Sequence, residues 1–441
     1  MRTLVGIARA ALFGAALLSP VLTQAEDATL RLRVVVLRHG VRAPTKAPEA
    51  LAPYASRPWA AWPVAPGQLT PHGIDGMRAL GASYRQSLAA DGLWSGACAR
   101  SGEVVVIADS TPRNHASGAA LVQGLAPDCH GAYLALPTDQ NNPLFHFGGK
   151  DDDKDDDDKP ALPATWPPAA LAELQRVLLG CEGSSCLATA HKDGRKTLLD
   201  AADDAERAKA LKNAGSLSEN LMLEYAQGFP AAHVAWGQGD ESTIGRIVTL
   251  HNLQFALAKK AMPAAARGGS NLLAHVLATL QQGSGEKPEV AALAATSVRA
   301  VLVIGHDTNL AQLAGLLDAD WHDAAHPDDY PPGGALVFDL WQAHDKYSVS
   351  VSTAMPTLDA LRRADFAKPD ALVHKTLRLA PCPATDRCPL DKVSRWLHGR
   401  LDATRIDPAL PAMRAFPAAS QEAPHEPAVS KQAAAAPQAG N

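Results

Sequence analysis

An apolar run that ends in a charged turn is the feature that most constrains the fold of this chain. Residues Arg31 to Pro44 read R-L-R-V-V-V-L-R-H-G-V-R-A-P. The continuous run from Val34 to Leu37 is typical of a strand that is buried on both faces in an α/β sheet. Gly40 permits a close turn and Pro44 cannot donate to a ladder, so the strand ends there. The run predicts an α/β fold with the charged turn at the sheet edge where ligands collect.

The turn itself carries residues that suit phosphate chemistry. Arg38 and Arg42 offer guanidinium groups whose paired donors match phosphate oxygens. His39 lies between them, and an imidazole nitrogen is a nucleophile. A lone R-H-G triplet fits a solvated loop about as well, whereas the full pattern R-H-G-x-R-x-P is far more specific. These residues predict phosphoryl transfer through His39.

A later strand ends in the same way. The apolar run Val298 to Ile304 is followed by G-H-D-T-N and then by an apolar helix from Leu310 to Leu317. Functional strand ends converge on one edge of an α/β sheet, so we expect the two turns to meet. His306 can donate to a phosphate oxygen, and Asp307 can protonate a leaving alkoxide.

Together the two motifs resemble the signature of the histidine acid phosphatases, a branch of the histidine phosphatase superfamily. The continuation Thr45-Lys46 and the form H-D-T-N are similar to the bacterial phytases, whereas H-D-S-N is typical of periplasmic glucose-1-phosphatases. The resemblance spans roughly Leu32 to Leu390. It implies a mixed central sheet flanked by helices, with a smaller helical cap domain, and a phosphohistidine intermediate. No metal or organic cofactor is expected, because the guanidinium groups would supply the electrostatic stabilisation.

The resemblance implies further site residues. After a strand from Glu103 to Ala108, Arg113 is expected to be a third phosphate-binding guanidinium, although without the family context an arginine that opens a helix is more often solvated. The predicted site residues are the catalytic His39 and Asp307, the phosphate-binding Arg38, Arg42, Arg113 and His306, and the substrate-binding Thr45, Lys46 and Asp109.

Six cysteines fit a disulfide framework, because residues 1–25 are typical of a secretory signal peptide and an exported chain meets an oxidising compartment. A zinc site is the alternative, but no compact Cys/His quartet favours it. Sequence proximity suggests three pairs, which the resemblance to bacterial phytases also implies: Cys181–Cys186, Cys382–Cys388 and Cys98–Cys129.

The chain divides into five predicted parts. Residues 1–25 carry arginines, an apolar stretch and small residues before Glu26, which is typical of a secretory signal peptide and predicts a periplasmic or secreted protein. Residues 26–136 and 247–421 are the two parts of the α/β domain, and residues 137–246 form a helical cap insertion. Helical spacing within the insertion occurs in Ala169 to Leu179, Asp200 to Leu211 and Leu217 to Gln227. Residues 422–441, rich in Ala, Pro and Gln, read as a disordered tail.

An acidic run, K-D-D-D-K-D-D-D-D-K, occupies residues Lys150 to Lys159 within the insertion. Such a run cannot pack, and self-repulsion predicts an exposed loop. It contains the D-D-D-D-K pattern read by enteropeptidase and resembles an epitope tag, so natural and engineered origins are both open. Cation binding is the less favoured interpretation, because the spaced ligands and the glycine of a calcium loop are missing.

The formal net charge is −5, so the global field would repel an anionic substrate. A local basic pocket made by Arg38, Arg42, Lys46 and Arg113 would hold it instead. Low pH should help, because carboxylates elsewhere become neutral.

These observations predict an exported acid phosphomonoesterase, with phytate, myo-inositol hexakisphosphate, as the expected substrate. A sugar-phosphate phosphatase of the glucose-1-phosphatase kind is the alternative among hydrolases, and a mutase is less favoured because export separates it from phosphoglycerates. A non-catalytic envelope protein that captures phosphate esters is the alternative from another class, but intact His39 and Asp307 argue against it. We expect small phosphate esters as partners, no nucleic acid, no membrane after signal cleavage, and a monomer.

Overall fold

The structure is a computed structural model that describes residues 28–98, 102–138, 140–147 and 162–418. The predicted signal peptide, the acidic run and the predicted tail lie outside the described residues.

Within the described residues, a mixed sheet of nine strands forms the centre of the fold, in the order β7-β6-β5-β1-β4-β2-β3-β9, with β8 paired to β6. The strands are β1 (Thr29–Arg38), β2 (Val104–Ala108), β3 (Ala132–Ala135), β4 (Ala300–Gly305), β5 (Ala335–Ala343), β6 (Lys346–Pro356), β7 (Leu372–Leu377), β8 (Cys388–Pro389) and β9 (Arg414–Pro417). β1 pairs in parallel with β4 and antiparallel with β5, and β4 pairs in parallel with β2. The predicted mixed sheet is therefore confirmed.

Helices cover both faces of this sheet. They are α1 (Pro48–Leu51), α2 (Pro71–Ala90), α3 (Pro112–Leu125), α4 (Ala169–Leu179), α5 (Ser184–Lys192), α6 (Asp204–Ala226), α7 (Glu241–Phe255), α8 (Ala264–Ser284), α9 (Asp307–Leu316), α10 (Leu358–Arg363) and α11 (Leu390–His398). One π-helical turn, Ala256–Lys260, continues α7.

The apolar run of β1 is explained by burial on both faces. Val35 and Leu37 belong to the hydrophobic cluster that includes buried side chains of α2 and α3. Val34 and Val36 belong to the opposite cluster, which includes buried side chains of α8 and α9. Successive strand residues point to opposite faces, so every position of the run has to be apolar.

Where it is described, the segment from 137 to 246 contains helices joined by loops and no strand. α4 coincides with the helical spacing of Ala169 to Leu179, but two helices predicted over 200–211 and 217–227 are one continuous helix, α6. Gly215 lies at the predicted break and does not end the helix. A Cβ there would lie 3.0 Å from Gln254 Cβ, so the glycine allows the close approach of residue 254 at the end of α7. Buried side chains of these helices are continuous with one face of the sheet.

The structure contains the disulfides Cys98–Cys129, Cys181–Cys186 and Cys382–Cys388. None of the helices in the described part of the chain has the length and hydropathy of a membrane span.

Candidate active site

The three predicted functional turns meet at one edge of the sheet. β1, β4 and β2 are adjacent and parallel, so their carboxyl ends lie side by side. The amide of His39 donates to the carbonyl of Gly305 at 3.0 Å, and the amide of Asp109 donates to the carbonyl of Ile304 at 3.0 Å. The turn after β1 also packs closely on α2, because a Cβ at Gly40 would lie 2.7 Å from Met77 Cγ.

His39 is held as a neutral imidazole with one free nitrogen. Its side chain is buried, and its Nδ1 lies 2.9 Å from the carbonyl oxygen of Gly40. A carbonyl only accepts hydrogen bonds, so Nδ1 carries the proton and Nε2 keeps its lone pair. Burial, together with the positive charges of Arg113 and Arg38, holds the pKa of His39 well below its ordinary value. The site therefore presents a nucleophilic nitrogen.

Arg38 lies fully buried among acceptors. Its Nη2 is 2.8 Å from Asp307 Oδ2 and also pairs with the carboxylate of Glu219. Its Nη1 donates to the carbonyl of Tyr330 at 2.6 Å and lies 3.7 Å from Asp328 Oδ2. These contacts fix the plane of the guanidinium before any ligand arrives.

Asp307 lies among positive charges that favour its carboxylate form. It is the first residue of α9, where the helix dipole favours a carboxylate. α9 begins at this point because Asn309 Oδ1 accepts from the amide of His306 at 2.9 Å. Although burial opposes ionisation, the positive charges of Arg38, His251 and Arg42 hold the pKa of Asp307 well below its usual range.

Glu219, on α6, is a site residue that no sequence motif marks. Its Oε1 and Oε2 lie 2.9 and 3.1 Å from Arg42 Nη2, and it also pairs with Arg38. It is 181 residues from Arg38 in the sequence, in an ordinary helical stretch. Its one sequence signal is weak: it is a glutamate between the core residues Leu217 and Leu221.

His306 is held from two sides. Arg113 Nη2 lies 3.1 Å from its Nδ1, and its Nε2 lies 2.8 Å from Asp109 Oδ2. A guanidinium only donates, so Nδ1 accepts and Nε2 carries the proton that Asp109 binds. Burial lowers the pKa of His306 to about 4, against the opposing hydrogen bond to Asp109. Arg113 thus reaches the site, as the sequence predicts.

The structure revises one assignment and leaves two open. Asp109, predicted to contact substrate, is fully buried and is bonded to His306, so we reassign it to orienting that imidazole. Thr45 and Lys46 are exposed on the loop that follows the catalytic turn, and their role in substrate binding stays a prediction.

Comparison with known proteins identifies the family. A model of the histidine phosphatase superfamily (branch 2) matches residues 29–176. Phytase AppA of Escherichia coli (strain K12) is 34% identical over 354 residues, which cover 75% of this chain and 81% of that protein. The chain belongs to branch 2 of the histidine phosphatase superfamily.

Two further proteins match most of the chain. Glucose-1-phosphatase of Salmonella typhimurium is 27% identical over 420 residues, which cover 88% of this chain and 97% of that protein. The structure of Hafnia alvei phytase in complex with myo-inositol hexakis sulphate is 28% identical, with a TM-score of 0.73, and the match covers 87% of this chain and 100% of that one. The predicted family and fold are confirmed, and this histidine phosphatase is a phosphoric monoester hydrolase.

Proposed function

We propose that this protein is an exported acid phosphatase that hydrolyses phytate through a phosphohistidine at His39. The observation that carries the mechanism is the free Nε2 of a neutral, buried His39 among the guanidinium groups of Arg38, Arg42 and Arg113. The relatives named as phytases support the substrate, and one of them has been solved with an inositol hexakis sulphate. The predicted signal peptide supports export to the periplasm or the medium.

In the first step His39 Nε2 attacks phosphorus in line. The bond between nitrogen and phosphorus forms while the ester P–O bond breaks, and Asp307 gives its proton to the leaving oxygen. The charge that develops on the equatorial oxygens is stabilised by Arg38, Arg42 and Arg113, and His306 Nδ1 accepts from Arg113 and holds that guanidinium in place. In the second step water attacks phosphorus, Asp307 takes a proton from that water, and inorganic phosphate leaves a neutral His39.

Asp307 has to acquire its proton on the way to the first step. The carboxylate is ionised in the free enzyme because Arg38 Nη2 lies 2.8 Å from Oδ2. A phosphate ester that binds to Arg38 neutralises this guanidinium and adds negative charge beside Asp307. Both effects raise the pKa of the carboxyl, so substrate binding and an acidic medium together favour the proton donor.

Glu219 fits a positioning role in this scheme. Its carboxylate joins Arg38 and Arg42, which keeps the two guanidinium groups near each other despite their like charge. Because Glu219 lies on α6, its ion pairs with Arg38 and Arg42 also connect this helix to the end of β1 and the turn after it.

The second candidate is a sugar-phosphate phosphatase, which the match to 97% of a glucose-1-phosphatase favours. Phosphate release from phytate and from glucose 1-phosphate should be compared side by side at acid pH, with His39→Ala as the control for contaminating phosphatases. We expect the higher kcat/KM with phytate. The reverse ratio would assign the protein to sugar phosphates, and tight phosphate binding without turnover of either ester would favour the non-catalytic alternative.

A further inference from the structure

A second cluster of ligand-type side chains lies beside the phosphate site, and the proposed mechanism does not use one of its members. His146 lies after β3, and about a quarter of its side chain is exposed. Its Nε2 is 3.5 Å from Asp109 Oδ2, the same oxygen that binds His306 Nε2 at 2.8 Å. The ring centroids of the two histidines are 5.0 Å apart.

The spacing of these atoms is close to that of zinc ligands. Zinc binds histidine nitrogen and carboxylate oxygen at roughly 2.0–2.2 Å, so neighbouring ligand atoms of a tetrahedral ion lie about 3.4 Å apart. The Asp109–His146 pair, at 3.5 Å, already has this separation, and the Asp109–His306 pair has to open from 2.8 Å. Ligand atoms of all three residues lie within 4.8 Å of one another.

The donor set and the access route also suit a transition metal. Two imidazoles and one carboxylate are ligands that zinc accepts, and they leave one coordination position for water. The exposed edge of His146 gives an ion a path from solvent, whereas Asp109 is fully buried and His306 nearly so. Arg113, with Nη2 3.1 Å from His306 Nδ1, places a positive charge next to the cluster. We therefore expect weaker binding than in a closed structural zinc site.

We propose that Asp109, His146 and His306 form a site for a divalent transition metal, Zn²⁺ in particular, and that its occupation inhibits the enzyme. His306 Nε2 binds the ion after its proton has moved through solvent to Nδ1, so the neutral imidazole gives up both its hydrogen bond to Asp109 and the one that it accepts from Arg113. His306 then shifts by a fraction of an ångström away from the phosphate position, and displacements of that size are costly in preorganised sites. The inhibitory effect rests on the proposed function, whereas the metal site itself does not.

Zinc titration of the full-length, chelator-treated protein tests both parts. Calorimetry should show one Zn²⁺ bound per chain, and nitrophenyl phosphate, which sequesters zinc far less than a polyphosphate does, should be hydrolysed at less than roughly a tenth of the metal-free rate. His146→Asn keeps the size of the side chain but loses the zinc ligand, so its affinity for zinc should fall by at least about tenfold. Each variant is compared with its own metal-free rate.

His191→Asn is the matched control, because it removes an exposed histidine whose Nε2 lies 2.6 Å from Asp200 Oδ2 on another part of the molecule. It should bind zinc and be inhibited as the wild type is. If calorimetry shows no bound zinc, or if His146→Asn binds zinc with wild-type affinity, the proposed metal site is wrong. Zinc bound through His146 without loss of rate would overturn the inhibition. Absence of turnover on every phosphate ester would contradict the proposed function instead, and calorimetry would still decide the site.

Discussion

Two histidines in opposite tautomers lie in this site. Gly40 accepts from Nδ1 of His39 and leaves Nε2 free, whereas Asp109 accepts from Nε2 of His306 and leaves Nδ1 towards Arg113. Both histidines could be predicted as site residues from their sequence motifs. The tautomer of His306 does not, because Asp109 is 197 residues away and comes from another strand end.

The proton donor can be separated from the phosphate-binding groups by changing the leaving group. Asp307→Asn keeps size and hydrogen bonding but has no carboxylic proton, so it should slow phytate hydrolysis by about 10²- to 10⁴-fold. Nitrophenyl phosphate has a better leaving group and should lose distinctly less. The measurement is kcat on both esters under conditions where chemistry limits the rate.

Arg42→Ala is the control for that experiment. It removes charge stabilisation that both esters need, so both rates should fall substantially and by similar factors. An equal loss on both esters in Asp307→Asn would mean that Asp307 positions phosphate and is not the proton donor.

Glu224 should make stability depend on pH. Burial raises the pKa of this carboxyl to about 8, against one hydrogen bond from the amide of Ala235 at 2.9 Å. The folded state therefore keeps a proton that the unfolded chain loses near its ordinary pKa of about 4.3. The stability that this bound proton gives to the folded state is fully present below about pH 4.3 and is lost as pH rises towards 8.

Glu224→Gln keeps a neutral acceptor for Ala235 at every pH. Its gain in free energy of unfolding over the wild type should be small at pH 4 and should grow to a few kcal/mol at pH 8, measured by urea unfolding. The exposed Glu286 gives the control, since Glu286→Gln should show no such trend. A difference independent of pH in Glu224→Gln would show that this carboxyl is ionised in the fold.

At the scale of elements, the buried strands could be predicted and the long-range helix contacts could not. Val34 to Leu37 and Val298 to Ile304 are apolar because both faces of their strands are covered, which is a local pattern. The continuity of α6 and the position of Glu219 depend on how α6 packs on α7 and on the catalytic turn. A glycine within a helical stretch weakens the helix, so the sequence alone does not show that α6 is continuous through Gly215.

The packing of α2 on α3 gives a test at this scale. A Cβ at Gly81 of α2 would lie 2.3 Å from the carbonyl oxygen of Leu121, whereas a Cβ at Gly76 of the same helix would have its nearest neighbour at 3.8 Å. Gly81→Ala should lower the free energy of unfolding by about 1–3 kcal/mol or more. Gly76→Ala should be neutral or stabilising by up to about 1 kcal/mol, because alanine favours helix. Equal stability of the two variants in urea unfolding would contradict this packing.

For the whole molecule, the three disulfides should contribute unequally. Cys98 and Cys129 are separated by 31 residues, whereas the other pairs are separated by 5 and 6. The entropy of loop closure then predicts a loss of about 3–4 kcal/mol for Cys98→Ser with Cys129→Ser. The loss should be about 2 kcal/mol for Cys181→Ser with Cys186→Ser. The free energy of unfolding of the two double variants should be measured in urea. A larger loss in Cys181→Ser with Cys186→Ser, which opens the shorter loop, would contradict the prediction.

The whole-molecule architecture brings together turns that are distant in sequence, and this explains why the motifs could predict which turns would meet. Parallel β1, β4 and β2 are neighbours, so their strand ends share one edge. The contacts of Asp109 with His306 and of Glu219 with Arg42 could not be predicted from the sequence, because they exist only in the folded chain.

The covalent intermediate tests the central claim most directly. The protein should be denatured in alkali during turnover of ³²P-labelled substrate, digested, and the labelled peptide identified. We predict one label, stable to base and labile to acid, on the peptide that contains His39, and neither label nor turnover in His39→Ala. Label on a different residue, or turnover of His39→Ala at the wild-type rate, would contradict the account.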